Sequence, residues 1–93
     1  MIRTFADRRT TALFEDVPVR GLGADLRRAA RKKLLMLDHS AYLADLRVPP
    51  GNRLEALKGD RAGQHSVRIN DQWRICFVWR KGDAYDVEIT DYH

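Results

Sequence analysis

The residues able to do chemistry gather in the second half of a 93-residue chain. They are Glu55, Lys58, Arg61, His65, Arg68, Arg74, Asp91, Tyr92 and His93. Asp91, Tyr92 and His93 stand side by side, and each can bind or transfer a proton. Arg74 lies inside the apolar run from Trp73 to Trp79. A guanidinium there must reach the open face of a sheet or a partner. Acid/base groups beside cations suit phosphodiester chemistry on RNA. The 2′-hydroxyl needs a base, and the leaving 5′-oxygen needs an acid. The pentacovalent phosphate needs cations to offset its added charge. That scheme requires no metal and no cofactor. Lys58, Arg61, Arg68 and Arg74 are the candidate RNA contacts. Arg74 also has a purely structural reading, as the partner of Glu88 or Asp91.

Other chemistries find less support. No carboxylate pair has a spacing that demands glycosidase work, and no serine or cysteine sits beside a base in a known elbow. Three histidines without helical pairing make a poor metal site. Glycine-rich nucleotide loops are absent. The lone cysteine, Cys76, excludes an internal disulfide framework and reads as a buried small hydrophobe.

The elements that must position these residues are legible from hydrophobic spacing. Met1 to Phe5 reads as a short strand. Asp7 can cap a short helix running to Glu15, which Val17-Pro18-Val19 ends. In Ala24 to Asp38, Leu26, Ala30, Leu34 and Leu37 form one apolar stripe, which predicts the chain's best helix. Its other side carries Arg27, Arg28, Arg31 and Lys32, either a solvated face or a contact to phosphate or an acidic partner. His39 reads as a surface residue at the helix end. One further helical turn, Tyr42 to Leu46, is expected to point Tyr42, Leu43 and Leu46 inward. Val48 to Asn52 is the clearest loop.

After that loop the period changes to two. A short strand is expected over Leu54, Ala56 and Leu57. His65, Val67 and Ile69 alternate with Ser66 and Arg68. Trp73 to Trp79 is a nearly continuous apolar strand. In the last strand Tyr85, Val87 and Ile89 alternate with Asp86, Glu88 and Thr90, so the sheet should hold it almost to the final residue. Short turns at 70–72 and 80–83 make this an antiparallel meander with the helices on one face. The expected fold class is α+β, a single domain over residues 1–93.

Charge narrows the partners. The net charge is +4 and the pI about 9.6, which favours a polyanionic partner. No signal-peptide pattern or membrane-spanning run is present, so a cytoplasmic protein is expected.

Three stretches carry a family resemblance that covers essentially the whole chain. Leu57-Lys58-Gly59-Asp60-Arg61-Ala62-Gly63, then Trp73-Arg74-Ile75 with Phe77, then Asp91-Tyr92-His93, together resemble HigB-type toxins of the RelE/ParE superfamily. Ile2-Arg3-Thr4-Phe5 and Leu13-Phe14 fit the usual opening of these proteins. The resemblance implies a compact RelE-like fold, a small and mainly antiparallel sheet with two N-terminal helices. It implies the toxin of a type II toxin–antitoxin pair that cuts mRNA in the ribosomal A site. It further implies a HigA-like helix-turn-helix antitoxin, through which alone the toxin would meet operator DNA. By the same resemblance Lys58 acts at the scissile phosphate and Arg74 stabilises the transition state. His93 becomes the candidate general acid or base, Tyr92 stacks on or orients a nucleotide, and Asp91 positions a hydroxyl or shares the base role. Glu55 departs from the pattern, since some HigB toxins carry a histidine three residues before the lysine. A carboxylate serves as a base at neutral pH but not as an acid. Glu55 is therefore either a substitute base or the structural partner of an arginine. His65 matches no catalytic position. Two other functions fit the same fold: a ParE-like binding protein that inhibits gyrase, and a weakly active toxin that serves mainly as its antitoxin's co-repressor.

Overall fold

The computed structural model describes residues 1–91. Helix α1 spans Arg8–Phe14 and helix α2 spans Ala24–His39. Four strands follow, β1 Glu55–Ala56, β2 His65–Arg68, β3 Trp73–Arg80 and β4 Asp83–Asp91. They pair antiparallel in the order β1-β2-β3-β4. This is the expected α+β arrangement, with both helices on one face of the sheet.

The helices form where capping and periodicity say they should. The Asp7 carboxylate accepts from the Thr10 amide at 2.7 Å and satisfies one open donor of α1. Leu13 and the α2 residues Ala30, Leu34 and Leu37 are fully buried. They meet Val67, Ile75, Phe77, Val87 and Ile89 from the sheet in one core. Thr10 is buried with them, and its hydroxyl accepts from the Ile89 amide at 3.0 Å, tying α1 to β4. His39 is exposed at the end of α2, as expected.

Three sequence expectations change. Met1 to Phe5 is not a full strand. It touches β4 through two isolated parallel bridges, Ile2 to Ala84 and Phe5 to Val87. The Met1 ammonium and Arg3 both pair with Asp83 at the start of β4. That carboxyl is held below the usual range, chiefly by the Arg3 hydrogen bond and then by the N-terminus. Tyr42 does not face inward. It is 73% exposed at the start of the 3₁₀ turn Leu43–Arg47, whose buried residue is Leu46. Tyr85 does not join Val87 and Ile89 on the core face. The β3–β4 register shifts between Cys76 and Val78, and Asp86 takes a left-handed conformation at φ 52°. This bulge inserts one residue, so the inward series is Ala84, Val87, Ile89 and Tyr85 turns to the opposite face. There the Arg80 guanidinium lies 4.5 Å from its ring centroid.

The loop after the 3₁₀ turn is fastened by Asn52, which is fully buried. Its amide nitrogen donates to the carbonyls of Leu46 at 3.1 Å and Val48 at 3.2 Å. Its side-chain oxygen accepts from Lys33 on α2. Burial, with the neighbouring Lys32 charge second, lowers the Lys33 pKa. Among the described residues, no helix is long and apolar enough to cross a membrane.

Candidate active site

The sheet face turned away from the helices carries the polar series. Strand pairing sets Glu55 against Ser66, Ser66 against Cys76, and Cys76 against Glu88. One rung along, Arg68 pairs with Arg74 and Arg74 with Thr90. Residues paired across a ladder share a face, so all of these side chains project from one side of the sheet. Val67, Ile75 and Ile89, between them in sequence, fill the core on the other side.

Arg74 is the centre of this face. Only 7% of the residue is exposed. Its Nε donates to the Ser66 hydroxyl at 2.9 Å, and an Nη donates to the Arg53 carbonyl at 2.7 Å. The same Nη lies 3.9 Å from a Glu55 carboxylate oxygen, at the outer limit of an ion pair. A buried guanidinium is stable only when such acceptors surround it. These contacts also hold the planar group in one orientation, which makes it a preset anion receptor. The structural partner of Arg74 is therefore Glu55, while the Glu88 carboxylate engages Arg61 at 2.8 Å.

The other candidates are placed as follows. Arg61 ends the short turn Gly59–Arg61 and reaches back over the sheet to Gln64 and Glu88. Lys58 is exposed and opens that turn with extended backbone. Its ammonium makes no hydrogen bond or ion pair among the described residues. Arg68 is drawn sideways to Asp71. That partner offsets the repulsion expected from two arginines directly opposite on one face. Asp91 pairs with Trp73, so alternation turns it to the face opposite Arg74, where it accepts from Gln72 at 3.1 Å. The Trp73 ring beside it is covered by the Arg9 guanidinium, 5.4 Å from the centroid. Tyr92 and His93 lie outside the described residues. His65 stands on the core side, stacked 6.3 Å from Phe77, with its Nδ1 buried and unpartnered among the described residues. Glu55, Arg61, Arg68 and Arg74 thus share one face, which Asp91 does not.

Two functional contacts had no clear sequence signal. Ser66 is an ordinary small polar residue in a strand until the register sets it beside Arg74. The Arg53 acceptor is a backbone carbonyl, presented because Arg53 is left-handed at φ 45°. Among the described residues no cluster of three His, Cys, Asp or Glu side chains is placed to hold a metal ion.

Comparison with known proteins bears on family and fold. A sequence model described as the RelE-like toxin of the type II toxin–antitoxin system HigB matches residues 3–93. Toxin HigB-1 of Vibrio cholerae is 38% identical over 99% of this chain and 98% of its own length. Endoribonuclease HigB of Proteus vulgaris is 32% identical over the full length of both. Among solved structures, a YoeB–YefM complex from Staphylococcus aureus aligns with a TM-score of 0.63 at 14% identity. It covers 100% of this chain and 98% of the other, a likeness of fold. With the family match spanning nearly every residue, the chain belongs to the HigB-like toxins, RelE-like toxins of type II toxin–antitoxin systems.

Proposed function

We propose that this toxin is a ribosome-dependent endoribonuclease that cuts translated mRNA in the ribosomal A site. The observation that carries the reading is Arg74. It is a buried, oriented guanidinium with Glu55 beside it, on a sheet face free of helices. The relative named an endoribonuclease matches this chain end to end.

The reaction is attack of a ribose 2′-hydroxyl on the adjacent phosphorus. The P–O2′ bond forms, the P–O5′ bond breaks, and the products are a 2′,3′-cyclic phosphate and a 5′-hydroxyl. A base takes the 2′ proton and an acid returns one to the leaving oxygen. Arg74 offsets the charge that builds on the non-bridging oxygens, and exposed Lys58 contacts the scissile phosphate. Glu55, beside Arg74, serves as a base. His93 supplies the acid, or the base when Glu55 does not. Tyr92 stacks on a nucleotide, while Asp91, turned to the opposite face of β4, takes no part in the reacting group. Arg61 and Arg68 hold the RNA backbone, and the basic balance of the whole chain favours docking on ribosomal RNA. The partner that restrains the toxin is a HigA-like helix-turn-helix antitoxin, through which it meets operator DNA. The place of action is the cytoplasm.

Induced expression tests this reading. Wild type should arrest growth and leave messages with new 5′ ends inside codons. Lys58→Ala and His93→Ala should do neither while still binding antitoxin. Arg74→Ala is a poorer probe, because a group this buried supports the fold as well. Arrest that persists in both clean variants, with broken DNA and intact messages, would replace the nuclease by a gyrase inhibitor.

A further inference from the structure

Two of the groups that meet Arg74 lie just downstream of a buried residue, Asn52. Asn52 is fully buried and joins three pieces of chain. Its Oδ1 takes a hydrogen from Lys33 of α2, and its Nδ2 gives to the carbonyls of Leu46 and Val48 and to the Met36 sulfur. Its own amide donates to the Pro49 carbonyl at 3.0 Å, and the next amide, of Arg53, donates to Pro50 at 3.1 Å. The chain then passes through the left-handed Arg53 and enters β1 two residues later at Glu55. Two of the groups that meet Arg74, the Arg53 carbonyl and the Glu55 carboxylate, therefore hang from the segment that Asn52 fastens.

Strand β1 cannot fix them alone. It is two residues long, lies at the sheet edge and is exposed. Such a strand has too few ladder bonds to set the position of a carbonyl. Left-handed backbone at a non-glycine residue also persists only where its surroundings enforce it. Asn52 supplies that enforcement from the core side.

We infer that Asn52 is a positioning residue for Arg74. By anchoring residues 48–53 to α2 and to the 3₁₀ turn, it sets the Arg53 carbonyl and Glu55 against the guanidinium and so fixes its orientation. It touches no RNA. The catalytic consequence rests on the nuclease reading above, but the orientation itself does not.

Asn52→Asp is the test. It keeps shape and the Lys33 link and removes both hydrogens of Nδ2. The direct readout is solvent exchange of the Arg74 Nε–H by NMR, followed in folded protein. Exchange should be about tenfold faster than in wild type, while the Val67 and Ile75 amides in the sheet centre keep their protection. In ribosome-dependent cleavage, kcat should fall about tenfold to a hundredfold with KM unchanged. Lys33→Met, a change at a half-buried helix position, should move both readouts the same way by less, and serves where Asn52→Asp fails to fold. Unaltered exchange at Arg74 in the folded variants overturns the inference. Faster exchange with wild-type kcat overturns its catalytic consequence. If wild type cuts no message, the nuclease reading falls by itself, and the exchange result still decides whether Asn52 orients Arg74.

Discussion

Removing the Ser66 hydroxyl tests whether Arg74 is built into the fold as described. Ser66 is fully buried, and its Oγ accepts from the Arg74 Nε at 2.9 Å. Ser66→Ala deletes one oxygen and leaves no large cavity. The loss is therefore nearly all the hydrogen bond and the desolvation of a charged donor. A bond to a charged group contributes about 1.5–3 kcal/mol. Arg74 is so little exposed that solvent returns little of this. We expect destabilisation of about 2 kcal/mol. For a domain of this size that corresponds to roughly 8–16 °C in Tm. Urea unfolding followed by circular dichroism should show a lower midpoint at unchanged slope. The same change in an Arg74→Met background should be neutral or stabilising, because the hydroxyl then has lost its charged partner in a buried place. Equal losses in the two backgrounds, within about 0.5 kcal/mol, would refute the pairing.

Two further outcomes follow from the edges of β4. The Asp83 carboxyl is lowered by Arg3 first, so its stabilising contribution is present above the unfolded value and is lost as pH falls through the folded one. Asp83→Asn should flatten the fall in urea midpoint below about pH 4, and an unchanged acid limb would contradict the assignment. At the bulge, Asp86→Val places a β-branched side chain at φ 52° and should cost about 1–2 kcal/mol or more, whereas Asp86→Gly should be tolerated. Equal stability of the Val and Gly variants would remove the bulge from the account.

Periodicity carried most of the fold. The four-residue spacing of Leu26, Ala30 and Leu34 marks α2 because a helix buries one stripe, and it held to within a residue of the observed end. Alternation failed at Tyr85, because a bulge adds a residue without changing composition. Tyr42 misled for a different reason: an aromatic ring on a short turn has no periodic partner to say which way it faces. At the site, Arg74 was conspicuous as a charge inside an apolar strand. Its acceptors were not, since pairing register brings Ser66 to it and a backbone carbonyl leaves no mark in sequence. Asp91 appeared contiguous with the site in the chain, yet strict alternation puts it on the opposite face from Thr90 and Arg74. The N-terminal residues read as a strand on hydrophobicity, but parallel pairing to β4 occurs at just two bridges. The stacking role of Tyr92 and the proton-transfer role of His93 rest on family resemblance.

The most direct test of the central claim is primer extension on a reporter mRNA. Purified ribosomes would be stalled with a defined codon in the A site, and wild type compared with Lys58→Ala and His93→Ala. A new 5′ end is expected inside that codon, seen only with ribosomes present and absent in both variants. A wild-type protein that arrests growth but leaves this message whole would contradict it.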